Sequence, residues 1–194
     1  MHRLILASAS PQRKSLLAGF GLSFDVAPSD VAEESCGEVH PRRRAQALAE
    51  LKARDIARKH PESWVIGCDT LVVGCEGTIL EKPRDERDAR RMLQLQSGKT
   101  SVVHSGLCLV APDGREASDV SSSFVTFKTL SDQEIEWWIG TDQWRDRSGG
   151  FQIDGLGQLM IAKIEGDWTS IVGFPVFLFG EMCRGIGAAF LKVL

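Results

Sequence analysis

Histidine is scarce in this chain. Four occur in 194 residues, and none stands in a pattern with a serine and an aspartate, so a Ser/His/Asp hydrolase is not signalled. Cysteine offers no scaffold either. Cys36, Cys68, Cys75, Cys108 and Cys183 are odd in number and include no C-x-x-C pair, which argues against a disulfide framework or a zinc site and fits a reducing cytoplasm. A Walker A loop, G-x-x-x-x-G-K-[ST], is missing. So is any basic excess: the formal net charge is -3, the wrong sign for a protein that grips nucleic-acid backbone, and the short run Arg42-Arg43-Arg44 reads as a solvated helix start. The opening apolar run is too short for a signal peptide and meets Gln12, Arg13 and Lys14 at once. Phe174 to Leu194 approaches the length of a membrane span, but Glu181 and Arg184 lie near its middle among Gly180, Gly185 and Gly187, so a buried closing helix is expected rather than a membrane anchor. No repeat or low-complexity segment is visible. With 43% hydrophobic and 25% charged residues, the chain reads as one globular, soluble domain over residues 1–194, long enough for a well-buried core.

What is present begins at residues 4–14, Leu-Ile-Leu-Ala-Ser-Ala-Ser-Pro-Gln-Arg-Lys. Leu4 to Leu6 is a short strand pattern, and Ser10-Pro11 is a helix start, an N-cap hydroxyl followed by proline at the first helical position. A helix N-terminus offers unpaired N–H groups and the positive end of the helix dipole, to which Ser8 and Ser10 add hydroxyls and Arg13 a fixed cation. Arg13 falls in register with Leu16, Leu17 and Phe20, so its guanidinium starts on the inward stripe of the helix. Such a corner suits an anion, although an ordinary capped first helix can look the same.

Ser23 to Ala27 reads as a second strand, followed by a polar loop, Pro28 to Pro41, that carries Asp30, Glu33, Glu34 and Glu38. Acids in a loop are commonly just solvated, but near an anion site they also recruit a divalent cation, and Glu33 is the foremost candidate. From Pro41 to about His60 the pattern is helical, with Ala45, Leu48, Ala49, Ala53, Ile56 and Ala57 on one stripe. Lys52 shares that stripe, where it either snorkels to the rim or points an ammonium into a cleft. Trp64 to Val73 is nearly continuous apolar sequence, the pattern of a strand covered on both faces. Asp69 interrupts it, and a buried carboxylate must be paired, metal-bound or functional. Gly67, two residues earlier on the same face, reads as room for a ligand or metal to approach.

Gly74 to Gly77 is a turn, and Thr78 to Leu80 a return strand ending at Glu81-Lys82-Pro83, where the proline fixes the backbone as the lysine leaves the strand. A helix over Arg84 to Gln96 follows, then two strands, about Ser101 to Val110 and Ala117 to Lys128, joined as a hairpin at Pro112-Asp113-Gly114. Ser131 and Glu134 form a capping box for a helix bearing Trp137 and Trp138. Asp142 to Gly157, which includes Arg147, is polar and glycine-rich, a loop that either connects or closes on a ligand. Leu159 to Ile164 is a last strand, and Gly173-Phe174-Pro175 opens the final helix.

An anion-binding helix start, cations at Arg13, Lys52 and Lys82 with Arg147 a further candidate, and carboxylates at Glu33 and Asp69 make up the set that phosphoryl chemistry needs. Polyphosphate charge must be neutralised, a divalent metal wants oxygen ligands, and one carboxylate can orient or deprotonate a water. The motifs L-A-S-A-S-P-x-R-K-x-L-L at 6–17, A-x-x-K-A at 49–53, I-G-C-D-T at 66–70, E-K-P at 81–83, G-G-F-Q-I-D-G at 149–155 and V-G-F-P at 172–175 together resemble the Maf family of nucleoside triphosphate pyrophosphatases. The resemblance implies an α/β fold of the inosine-triphosphatase-like kind, a mixed twisted sheet with flanking helices and an active-site cleft between two lobes. It further implies hydrolysis of a nucleoside triphosphate to monophosphate and pyrophosphate with a divalent metal, magnesium or manganese, a link to inhibition of septum formation, and a plausible homodimer. Residue by residue, it implies Asp69 as proton acceptor, Ser8, Arg13, Lys52 and Lys82 on the triphosphate beside the Ser10 hydroxyl, and Glu33 with Asp69 at the metal.

Substrate choice falls on Gln12, Thr70 and Asp154. Thr70 resembles the branch acting on dTTP and UTP. Gln12 stands where the family usually has arginine, and Asp154 where one branch has a glutamine that can both donate and accept. A carboxylate only accepts, which suits the N–H edge of guanine, including 7-methyl-GTP, better than the carbonyls of uracil. The expectation is a slight lean to dTTP and UTP. A different class of reading is a non-catalytic nucleotide sensor that regulates division through a protein partner, with Trp137, Trp138 and Trp144 as its exposed interface.

Overall fold

The computed structural model describes residues 3–188 and 190. His2, together with residue 189 and residues 191–194 of the expected closing helix, lies outside the described residues. Seven strands and six α-helices are formed: β1 (Leu4–Leu6), α1 (Pro11–Ala18), β2 (Asp25–Val26), α2 (Pro41–Lys59), β3 (Trp64–Val73), β4 (Ile79–Leu80), α3 (Glu86–Gln96), β5 (Thr100–Val110), β6 (Glu116–Phe127), α4 (Asp132–Gly140), β7 (Ile161–Glu165), α5 (Trp168–Val172) and α6 (Val176–Gly185). Short 3-10 turns lie at Glu33–Ser35, Ser148–Gly150 and Gly155–Met160. The strands make one mixed sheet in the order β2-β1-β3-β5-β6-β7, with β4 paired to β3 off that path. The fold is α/β, as the motifs imply. β1 runs parallel to β2 and β3, whereas β4 is antiparallel to β3 and β7 to β6.

The chain divides into two compact units, residues 1–69, 105–121 and 173–194 in the first, and residues 70–104 and 122–172 in the second. In the first, the period of two along a strand sorts the apolar run into two layers. Leu4, Leu6, Trp64 and Ile66 meet Leu17 of α1 and Phe179 and Met182 of α6 on one face. Ile5, Ala7 and Val65 meet Ala49, Ala53 and Ile56 of α2 on the other. This double cover is why β1 and the first part of β3 read as unbroken hydrophobic sequence. Asp69 stands in step with Val65 and Gly67, on the face that carries α2.

Gly67 does something other than leave room for a ligand. A Cβ built there would lie 2.1 Å from the Ala49 carbonyl oxygen and 2.7 Å from the Ala53 Cβ. At Gly106 on β5 it would lie 2.1 Å from the Ala45 carbonyl oxygen. The two glycines let the backbone of α2 press against the sheet, a contact that any side chain would forbid. The sequence reading of Gly67 is corrected accordingly.

In the second unit Val72, Leu80, Leu93, Val125, Phe127, Ile135, Trp138 and Trp144 form one core with Phe151, Ile153 and Met160. Helix α4 begins with the expected capping box: the Ser131 hydroxyl accepts the Glu134 N–H, and the Glu134 carboxylate accepts the Ser131 N–H. The last strand starts at Ile161 rather than Leu159, because Leu159 falls within the 3-10 turn. Helix α5 was not anticipated. Its five residues, Trp-Thr-Ser-Ile-Val, are too few to show helical periodicity.

Candidate active site

Lys52 leaves α2 one residue before Ala53, so the close seating of that helix carries its ammonium to the strand beneath. Nζ donates to Asp69 Oδ1 at 2.6 Å and lies 2.7 Å from Glu33 Oε1. The expected alternatives, a snorkel or a cation aimed into a cleft, resolve into an ion pair shared by two carboxylates. Burial pulls the Lys52 ammonium down, but the charge and hydrogen bond of Asp69, and then those of Glu33, outweigh it and hold the net shift upward. Lys52 therefore stays charged, with one of its three N–H donors left for another oxygen.

Asp69 is 5% exposed, and its Oδ2 is buried with no hydrogen-bond partner. A stranded carboxylate oxygen costs free energy unless something else comes to it, and the groups that do so are a proton, a water or a cation. Glu33 is the opposite case, with a half-exposed carboxylate at the start of a short 3-10 turn.

The corner between β1 and α1 forms as the sequence suggests. Ser10 caps α1 by accepting the Arg13 N–H, and its hydroxyl donates to Gln12 Oε1 at 3.1 Å. The buried Ser8 hydroxyl accepts from Arg13 Nη1 at 2.9 Å and from the Ser10 N–H at 3.3 Å, which leaves its own proton to donate. Arg13 Nε donates to the Gly173 carbonyl at 2.9 Å, and the Cys68 thiol donates to the same oxygen at 3.1 Å. Burial pushes the Cys68 thiol up, so the thiol form is the donor. Arg13 is thus turned inward, and the V-G-F-P segment supplies the carbonyl that fixes it.

Arg44, expected as part of a solvated helix start, instead holds a loop. Its guanidinium donates to the carbonyls of Cys36 at 2.9 Å, Glu33 at 3.2 Å and Glu38 at 3.3 Å, so α2 clamps the loop that carries Glu33. Arg42 donates to Asp119 and to the Val120 carbonyl. Arg42 and Arg44 are therefore in contact with the fold, whereas Arg43 is exposed as expected of a solvated helix start. Only the loop's proximity to α2 makes this visible, and a run of like charges carries no such information.

The other expected residues belong to the second unit, apart from Gln12. Thr70 follows Asp69 on β3 and is half-buried, Lys82 is exposed just past β4, and Asp154 precedes the 3-10 turn Gly155–Met160 without a side-chain cap bond. Gln152 donates to the Asp154 carbonyl at 3.2 Å and to Gln143 Oε1 at 2.9 Å. Of the tryptophans offered as an interface, Trp138 and Trp144 are 0% and 1% exposed, and only Trp137 reaches the surface. Their indole N–H groups are spent inside, on the carbonyls of Gly150 and Ile139. That interface is withdrawn.

A buried carboxylate midway along a doubly covered strand, a lysine drawn to it from a helix, and an arginine fixed at a capped helix start thus come together in the first unit of an α/β fold. The chain matches the family model described as Maf-like protein over residues 3–186, and it belongs to that family. It is 43% identical to the dTTP/UTP pyrophosphatase of Deinococcus radiodurans over 96% of this chain and 94% of that one. It is 44% identical to the dTTP/UTP pyrophosphatase of Syntrophotalea carbinolica over 95% and 85%. A solved nucleoside-triphosphatase / dITP/XTP pyrophosphatase from Mycobacterium abscessus is similar at a TM-score of 0.44 and 15% identity, covering 66% of this chain and 75% of that one.

Proposed function

We infer that the chain is a nucleoside triphosphate pyrophosphatase that hydrolyses the anhydride between the α- and β-phosphorus, releasing monophosphate and pyrophosphate, with dTTP and UTP as leading substrates. The buried Asp69, with one oxygen on Lys52 and the other bare, carries the reading. Relatives at 41–44% identity that are named dTTP/UTP pyrophosphatase support it. A water proton passes to Asp69 as the water oxygen bonds to phosphorus, and the bridging P–O bond breaks with its electron pair leaving on pyrophosphate. Ser8, Ser10, Arg13 and Lys52 offer hydroxyl, guanidinium and ammonium donors to phosphate oxygens, and Lys82 adds a further cation.

A divalent cation, magnesium or manganese, belongs to the proposal. Such ions are held by one or two carboxylates together with phosphate oxygens and water. The bare Asp69 oxygen and the accessible Glu33 carboxylate are a donor pair of that kind, and among the described residues no group of three or more His, Cys, Asp or Glu converges. When bound, the ion would neutralise phosphate charge.

Thr70 sets the lean to pyrimidines, and Asp154 relaxes it, because its carboxylate accepts where a glutamine amide would also donate. Among the described residues no helix is long and apolar enough to cross a membrane. All five cysteines are free and four are buried, which suits the cytoplasmic location that belongs to the reading, and the homodimer that the family resemblance implies is proposed with it. A panel of canonical and modified nucleoside triphosphates, scored by pyrophosphate release with magnesium or manganese, should show turnover led by dTTP and UTP. No turnover on any triphosphate would leave only a sensor.

A further inference from the structure

Strand β7 is the open edge of the sheet in the second unit. Among the described residues it pairs with β6 alone, and its five residues, Ile-Ala-Lys-Ile-Glu, outnumber the two of β2 at the other edge. A row of unpaired backbone groups is a template for another strand, which natural edges commonly discourage with charge, proline or a bulge. The ladder to β6 does shift register between Thr126 and Phe127, and β7 carries two charges, but those charges are placed so as to admit one partner.

The backbone direction at this edge follows from β6. The Phe127 N–H donates to the Lys99 carbonyl, on the β5 side, and the Lys128 N–H donates to the Met160 carbonyl, on the β7 side. Successive residues of a strand turn their N–H and C=O groups to opposite neighbours, so Thr126 and Phe124 address β7, where they stand opposite Lys163 and Glu165. Ile164, between those two, therefore presents its N–H and C=O to the open side. Lys163 and Glu165 project from one face, ion-paired to each other at 3.0 Å and more than half exposed. Ile164 projects from the other, on the face of the buried Val125 that it pairs with, and is itself exposed. Phe124 beside Glu165, Leu159 before the strand and Trp168 after it are exposed as well, so apolar surface gathers along this edge.

We propose that β7 pairs antiparallel with β7 of a second copy of this chain, about a two-fold axis at Ile164, joining the two sheets into one. On that axis Ile164 meets the partner's Ile164 as a hydrogen-bonded pair, and Lys163 meets the partner's Glu165 on the same face, once on each side of the axis. The ion pair within each strand is exchanged for two across the interface. A slip of the axis to residue 163 sets lysine against lysine, and a slip to residue 165 sets glutamate against glutamate, so the charges that guard the edge against other strands select this register. The proposal names the surface of the homodimer in the reading above and rests on that part of it alone.

Sedimentation equilibrium of the full chain, without nucleotide, tests it, and the wild type should be a dimer. Lys163→Glu and Glu165→Lys each set like charges opposite one another at both ends of the pair, and should raise the dimer dissociation constant roughly tenfold or more at low salt with the circular dichroism spectrum kept. The double exchange Lys163→Glu/Glu165→Lys puts opposite charges back across the axis and should bring the dimer back, a recovery that misfolding cannot imitate. Should either single variant fail to fold, Ile164→Asp, which sets two carboxylates face to face on the axis, decides by the same measurement. A monomeric wild type overturns the proposal and the homodimer together, and leaves the edge to solvent or to another protein. A dimer that neither single variant weakens, or that is lost in them and not regained in the double exchange, overturns this surface and leaves the hydrolytic reading intact. A chain that dimerises as expected but cleaves no triphosphate keeps the surface and fails that reading.

Discussion

At the scale of single residues, the site turns on the unequal treatment of the two oxygens of Asp69. Oδ1 is locked to Lys52 and Oδ2 is buried and bare. Asp69→Asn keeps the shape and removes the proposed proton acceptor, so turnover should fall by roughly two to four orders of magnitude with the fold retained; a variant that cleaves at the wild-type rate makes Asp69 structural. Lys52→Ala should act twice. It removes a proposed triphosphate donor, and it strands a buried carboxylate, a kind of loss that costs about 3–5 kcal/mol where one partner of a buried pair is deleted. Urea denaturation should show that loss, and adding Asp69→Asn should restore much of it because no buried charge is then left unpaired; a double variant no more stable than Lys52→Ala denies the coupling. Asp69 was legible because a carboxylate in an unbroken apolar strand has to be explained. The partner of Lys52 was not, since a stripe position on a helix does not say which group on the sheet lies opposite. Asp154→Gln tests specificity at the same scale. It should raise dTTP or UTP turnover relative to guanine triphosphates, and a shift the other way shows that the role of residue 154 is misread.

At the scale of elements, α2 is the positioning device. It lies on β3 and β5 where Gly67 and Gly106 present no side chain, and it holds the Glu33 loop through Arg44. Gly67→Ala forces a Cβ against helix backbone rather than a flexible side-chain end, so α2 must move, with destabilisation of about 1–3 kcal/mol expected for overpacking. Because Lys52 rides on that helix, turnover should fall further than stability alone accounts for; an alanine variant with wild-type activity and stability would show that α2 has slack. Arg44→Ala should leave α2 helical but speed hydrogen exchange of the amides of residues 33–38. The strands, α2 and the capping box of α4 were readable from period and caps. The two glycine seats and the Arg44 clamp were not, because each depends on what comes close in space: a glycine in a strand pattern signals a close approach without naming whether ligand or helix makes it.

At the scale of the whole molecule, motif order carried more than any one residue. Six short motifs spread from residue 6 to residue 175 fixed the family, whereas large apolar tryptophans fit a core as well as a partner surface, and Trp138 and Trp144 proved to be core. The same buried core sets how stability depends on pH. Burial pushes the thiols of Cys68, Cys108 and Cys183 up, the last to about 12 from an ordinary 9.0. A folded-state value above the unfolded one means that the fold favours the protonated form, so this stability is fully present below pH 9 and is lost as pH rises toward 12. Lys52, also held above its usual value, acts in the same direction at still higher pH. Glu134 works from the other end. Lys128 and then the Ser131 groups hold its carboxyl at about 2 from 4.5, so its contribution is present above 4.5 and is lost as pH falls toward 2. It lies at the surface, where screening keeps the effect small. The urea midpoint should therefore be level from about pH 5 to 9 and fall steeply above 9. Cys183→Ala should flatten part of that alkaline limb, whatever its effect at neutral pH, since alanine removes the titrating thiol. An unchanged slope between pH 9 and 12 in the variant would assign the limb to other groups.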